Sequence, residues 1–194
     1  MPETHGVLYM PDGSFQTANF MGPGTEVVQR ISRGDEGKTY MDRVAELHDI
    51  EYMLAVGESN SQEETIRKAR AADERMLLYS ARALNGKQDH TFNVTQGGGL
   101  IRAKTFLEDW NIIDRSRFVG KYTARYLNGS AERDITEGEM LHRRRKEILQ
   151  SGPLADEHAY RTDYDARFSN RLETAKKRKE AEDRFEGIQT RISL

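Results

Sequence analysis

Two ionisable residues stand where helical periodicity calls for apolar ones. Met41, Ala45, His48, Tyr52 and Ala55 follow one another at steps of four, three, four and three, one stripe of an α-helix. A second stripe, Ile66, Ala69, Asp73, Met76, Leu77, Ser80 and Leu84, carries Asp73 in the same way. A carboxylate facing a histidine fixes the imidazole tautomer and stabilises the imidazolium, which makes the other ring nitrogen a general base. The same pair also suits a core contact with no chemistry, so its neighbours matter. Asp49 directly follows the histidine. Adjacent helical residues diverge by about 100 degrees, so the two address one site from its wall and its rim, one as base and one able to bind a cation. The turn Phe20-Met21-Gly22-Pro23-Gly24 can aim several main-chain carbonyls at one point, the hard-oxygen set that Ca²⁺ takes, and with a single carboxylate such a site is weak. Tyr52, one turn after His48, is placed to donate its hydroxyl to Asp73. The turn also reads as an ordinary turn, and Tyr52 as an ordinary core aromatic.

The elements that must position these residues are helices. The first helix is expected from Thr39 to Gly57, its buried face widened by Val44, Leu47 and Leu54. After a short GESN connection, Ser61 and Glu64 form the S-x-x-E capping box of a second helix. So short a link makes the two antiparallel neighbours and brings Asp73 within about one turn of His48. Residues 1 to 40, rich in Gly and Pro, are expected to form loop, turn and a short strand. The polar stretch ending in Gly97-Gly98-Gly99 is expected to be flexible or tightly turned, with a third helix over Leu100 to Trp110. Ile112, Ile113, Phe118, Val119, Tyr122 and Tyr126 complete an expected core, with a domain boundary near Asn128-Gly129. The expected organisation is a mainly α domain over 1–126 and a charged helical extension over 127–194. Two helices of that extension fall near 134 to 150 and 164 to 190, broken at Ser151-Gly152-Pro153.

Composition removes whole classes of function. The chain has 194 residues, 36% hydrophobic and 32% charged, enough for one domain plus an extension and richer in charge than an average domain. Without cysteine, disulfides, thiol nucleophiles and thiolate metal sites are excluded. No apolar run approaches the roughly 18 to 20 residues of a membrane span, and the N-terminus lacks a signal-peptide pattern. A net charge of −2 disfavours a uniform nucleic-acid-binding surface. The basic runs Arg143-Arg144-Arg145-Lys146 and Lys176-Lys177-Arg178-Lys179 are set among acids at helical spacing and read as solvated, salt-bridged helices.

The segments FMGPGT at 20 to 25, D-R-V-A-E-L-H-D-I-E-Y at 42 to 52 and A-A-D-E-R-M-L at 71 to 77 resemble a known family. It is the phospholipase A2 domain in the unique N-terminal region of parvovirus minor capsid proteins. That domain shares a Y-x-G-P-G calcium loop, a D-x-x-A-x-x-H-D-x-x-Y helix and a later A-D-E with the secreted phospholipases A2, but lacks their disulfides. The likeness covers about residues 15 to 85, and three motifs in order are far more specific than HD-x-x-Y alone.

The resemblance implies a phospholipase A2-like antiparallel two-helix core with a calcium loop, and calcium-dependent hydrolysis of the sn-2 ester without a covalent intermediate. It makes His48 the base that activates water, oriented by Asp73 with Tyr52. Ca²⁺ would be held by Asp49 and the main-chain carbonyls of Phe20, Gly22 and Gly24. The Gly22 amide would help stabilise the oxyanion. Phe20 stands in place of the family's tyrosine and Thr25 in place of its usual asparagine, and neither change removes a catalytic group.

The expected substrate is a phospholipid membrane surface, and the implied role is a viral protein that breaches a host membrane, located in the virion or the host cytoplasm. Phe15, Phe20, Met21, Val27, Val28 and Ile31 are candidates for an apolar rim or for core, with Lys38 and Arg43 near for a headgroup phosphate. Phe168, Leu172, Phe185 and Ile188 suit docking of residues 127–194 against other virion or capsid subunits. The alternative is a structural or assembly protein of a virion on the same scaffold, touching nucleic acid through its basic C-terminal helices.

Overall fold

The P-D-G-S stretch turns the chain back on itself. In this computed structural model, which describes residues 5–22, 25–59, 61–109, 112–114 and 131–155, Gly13 takes a left-handed φ of 84°. The Asp12 carboxylate accepts from the Ser14 N–H at 2.9 Å, an Asx turn that closes the hairpin. Strands β1 (Val7–Tyr9) and β2 (Phe15–Thr17) pair antiparallel on either side, with Leu8 opposite Gln16. A short helix α1 (Val27–Ser32) follows in the region expected to be loop, turn and strand.

The long helices begin where capping residues place them. α2 (Tyr40–Glu58) starts at Thr39, whose hydroxyl accepts from the Asp42 N–H, and α3 (Gln62–Gly86) starts at Ser61, whose hydroxyl accepts from Glu64. The two pack along their lengths, and Met41, Val44, Leu47, Ile50 and Leu54 are all at most 1% exposed. Part of the expected α3 face is turned: Leu84 is 51% exposed, while Tyr79 and Ala83 are buried in its place.

The third long helix, α4 (Thr91–Asp109), begins nine residues before the expected Leu100, since the glycines are inside it. Gly97 and Gly98 are buried against α2 and α3. A Cβ on Gly97 would lie 3.0 Å from Met41 Cε, and one on Gly98 would lie 2.8 Å from Ser80 Oγ. Close helix approach therefore offsets the roughly 1 kcal/mol by which each mid-helix glycine disfavours the helix. Trp110, the expected end, lies outside the described residues.

A fifth helix, α5 (Ala131–Gln150), corresponds to the expected 134–150 segment, but it packs on α1 and α2. Leu141, Ile148, Leu149 and Leu154 belong to the same apolar cluster as Leu8, Phe20, Leu47 and Leu54. The core expected to be complete near Tyr126 thus draws on residues beyond it. Within the first basic run, Arg144 and Arg145 are not solvated: they pair with Glu46 and Glu51 of α2, with side chains 15% and 5% exposed. The Asn128-Gly129 boundary, the helix expected over 164 to 190, the second basic run, and Phe118, Val119, Tyr122, Tyr126, Phe168, Leu172, Phe185 and Ile188 lie outside the described residues. The described protein is mainly helical, and among its described residues no helix is long and apolar enough to cross a membrane.

Candidate functional site

The α2–α3 hairpin brings His48, Tyr52 and Asp73 into one hydrogen-bonded group. His48 Nε2 lies 2.9 Å from Asp73 Oδ1, and the Tyr52 hydroxyl is 3.2 Å from each Asp73 oxygen. The imidazole and phenol rings pack with centroids 4.7 Å apart, as expected for neighbours one turn apart on a helix. Asp73 is 1% exposed, so its charge must be matched by its neighbours. Asp49 turns back onto the imidazole, with Oδ1 3.2 Å from Nδ1. The ring is therefore held between two carboxylates, one at each nitrogen.

Burial alone would lower the His48 pKa. The hydrogen bonds to Asp49 and Asp73 outweigh it and push it up to about 9. Burial likewise acts to raise Asp73, but the His48 hydrogen bond and the Lys104 charge hold it below the usual carboxylate value. Asp49 moves the other way, raised by burial that its contact with His48 does not cancel. The two acids beside one imidazole are thus unlike: Asp73 is a settled anion, while Asp49 is a carboxylate whose burial leaves its charge undercompensated.

Two residues were given no role from the sequence: Lys104, and Asp42, the first residue of the 42 to 52 motif. Lys104 of α4 places its ammonium against both Asp73 Oδ2 and the Tyr52 hydroxyl, 4.9 Å from the centre of the Tyr52 ring. Its only sequence signal was its i,i+4 spacing to Glu108, which gives nothing beyond an ordinary helix pair. Asp42, fully buried, accepts from the main-chain N–H groups of Phe20 (2.8 Å) and Met21 (2.9 Å) at Oδ1. At Oδ2 it accepts from Asn19 (2.9 Å) and Lys38 (3.0 Å). Asp42 precedes His48 on the same helix, so one element carries the imidazole and fixes the loop before α1.

In that loop the Thr25 hydroxyl lies 3.1 Å from the Phe20 carbonyl oxygen and 3.0 Å from that of Gly22. One hydroxyl can donate a single proton, so the two carbonyls converge on a point with acceptor capacity to spare. Gly22 has φ 151°, a conformation that strains any residue with a side chain. Gly24 lies outside the described residues. Among those described, no group of three or more His, Cys, Asp or Glu side chains is arranged to hold a metal ion. Asp49 and the Phe20 and Gly22 carbonyls are hard oxygen donors of the type Ca²⁺ takes, but here Asp49 faces His48 and the two carbonyls face the Thr25 hydroxyl.

The candidate rim divides. Phe20, Met21 and Val27 are core, at 1%, 6% and 2% exposure, and Val28 and Ile31 pack against it. Phe15 is 63% exposed and meets Phe92 of α4 edge-on at 5.9 Å. Lys38 Nζ donates to the Thr17 carbonyl and Arg43 faces Glu36. No family model, curated protein or solved structure matches this chain.

Proposed function

We propose that the protein is a calcium-dependent phospholipase A2 that hydrolyses the sn-2 ester of phospholipids. The observation that carries this reading is the placement of Asp73 on Nε2 of His48, with Tyr52 on the same carboxylate. A carboxylate at Nε2 keeps the proton there, and Nδ1, which faces Asp49 Oδ1 at 3.2 Å, would become the basic nitrogen once Asp49 turns from the imidazole to the cation. Nδ1 would take a proton from a water molecule as its oxygen bonds to the ester carbonyl carbon. The imidazolium would then return that proton to the departing alkoxide, so the protein forms no covalent bond. The Gly22 amide N–H is the main-chain donor assigned to the developing oxyanion.

Asp49 and the carbonyls of Phe20 and Gly22, joined by Gly24, would hold Ca²⁺. When bound, the ion polarises the ester carbonyl. The viral setting, penetration of a host membrane by a protein carried in a virion, rests on the sequence resemblance. Docking to capsid subunits, expected of residues 127–194, belongs to the same proposal through Phe168, Leu172, Phe185 and Ile188, since Leu141, Ile148, Leu149 and Leu154 are already core.

The test is release of sn-2 fatty acid from mixed phospholipid vesicles by wild type and His48→Gln, with millimolar calcium or a chelator. Calcium-dependent release abolished in His48→Gln supports the reading. Silence of folded wild type on accessible vesicles overturns it and leaves a virion structural or assembly role as the account of the scaffold.

A further inference from the structure

The Asp73 carboxylate of α3 is addressed by three side chains from two other helices. Its Oδ1 faces His48 of α2, its Oδ2 faces Lys104 of α4, and the Tyr52 hydroxyl reaches both oxygens. We propose that Lys104 is a positioning residue for the His48 base, holding the Asp73 carboxylate turned so that Oδ1 meets Nε2. The inference rests on the phospholipase reading for its kinetic consequence, but its geometric content stands apart from the reaction.

The need for such a group follows from the cycle of any base histidine. A base histidine accepts its proton in the neutral form, and in that form it offers no positive charge to the carboxylate behind it. At 1% exposure Asp73 cannot turn to water for compensation. A buried carboxylate left in that state either takes up a proton or rotates toward another donor, and in both cases Nε2 loses the acceptor that sets its tautomer. Lys104 supplies a positive charge that does not vanish when the imidazole is neutral. Its bond at Oδ2 also fixes the rotation that aims Oδ1 at Nε2.

The surroundings of Lys104 suit a placed group. Its side chain is 13% exposed, and its ammonium also faces Glu108 Oε1 at 3.4 Å. Glu108 Oε2 lies 3.5 Å from Arg70 of α3. Charges therefore alternate from Arg70 through Glu108 and Lys104 to Asp73. The approach of α4 that brings Lys104 this close requires Gly97 and Gly98, since a Cβ on either would press on Met41 or Ser80. The glycine run and the lysine thus serve one arrangement: small residues set the distance between helices, and the ammonium uses it.

The test compares Lys104→Met, of similar length and uncharged, with Lys104→Arg, which keeps the charge. The first readout is the downfield imidazole Nε2–H proton resonance of His48, assigned by its loss in His48→Gln, on full-length protein whose melting confirms folding. The resonance is expected in wild type and Lys104→Arg, and broadened or absent in Lys104→Met. The second is vesicle hydrolysis, where Lys104→Met is expected to lower kcat by about 10- to 100-fold with little change in KM, and Lys104→Arg to recover part of it. Should Lys104→Met fail to fold, Lys104→Gln, which keeps donors without charge, takes its place with the same expectation. An unchanged resonance in the uncharged variant overturns the proposal whether or not the protein hydrolyses lipid. An unchanged kcat in an active enzyme also overturns it. Inactive wild type overturns the phospholipase reading alone, and the resonance still decides the role of Lys104.

Discussion

Arg145 of α5 and Glu51 of α2, 94 positions apart in sequence, form a buried pair with Nε 3.0 Å from Oε1. Arg75 of α3 approaches the other oxygen of Glu51 at 3.2 Å, and Arg144 reaches Glu46, five residues earlier on α2. The helix that carries His48 therefore presents acids to α5 as well as the imidazole to α3. Burying these acids is costly unless they are paired, which makes α5 a structural requirement of α2. Replacing Arg145 with Ala leaves Glu51 with Arg75 alone and is expected to destabilise the protein by about 3 kcal/mol. A guanidinium chloride melt measures this. A change below about 0.5 kcal/mol, the range of ordinary surface substitutions, would show that apolar contacts alone dock α5.

Asp42→Asn tests the anchor of the loop. The carboxylate accepts four main-chain N–H groups, whereas an amide presents one acceptor oxygen and turns an NH₂ toward donors. The expected loss is about 2 to 3 kcal/mol, with faster amide exchange at Asn19, Phe20 and Met21. Unchanged exchange at those three amides would rule out Asp42 as their anchor.

The pH dependence of stability follows from the His48 pair. A pKa raised from 6.5 to about 9 means that the native state holds this proton more tightly than the unfolded chain. Its contribution is fully present below pH 6.5 and is lost as pH rises through 9, amounting to a few kcal/mol at most. Asp73, lowered from 3.8, acts in the opposite sense: its contribution is present above 3.8 and is lost as pH falls through its lower native value. Metal-free protein is thus expected to melt highest between these limits, and His48→Gln to flatten the alkaline side. A wild-type Tm indifferent to pH from 6 to 10 on a scan of about ten steps would contradict the pairing.

Gly98 and Gly99 provide a matched pair. Ala at 98 would set its Cβ 2.8 Å from Ser80 Oγ, itself bonded to the Met76 carbonyl, whereas Ala at 99 meets nothing within 4 Å. Gly98→Ala is expected to cost about 1 to 3 kcal/mol through overpacking, and Gly99→Ala to gain up to about 1 kcal/mol from helix propensity. Equal effects at the two positions in thermal melts would exclude close α4 packing as the role of the glycines.

What the sequence by itself determined is local. The S-x-x-E box fixed the start of α3, and the alternating steps of four and three fixed the stripe that holds His48 and Tyr52. The shortness of the link between helices placed Asp73 opposite them, because two antiparallel helices leave little freedom of register. The glycine run misled for the same reason. Intrinsic propensity argues against helix there, and only the neighbouring faces of α2 and α3 reveal that the missing side chains permit close packing.

Lys104, Arg144 and Arg145 were equally illegible as buried partners, since a charged residue within a charged stretch looks solvated until its counter-ion is known. Their partners come from other helices: Asp73 lies 31 positions from Lys104, and Glu46 lies 98 from Arg144. Periodicity reports which face of a helix is apolar, but it carries no information about which distant acid a cation will meet. That choice was made by tertiary packing, which buried the acids of α2 and α3 and thereby required cations from α4 and α5 to approach them.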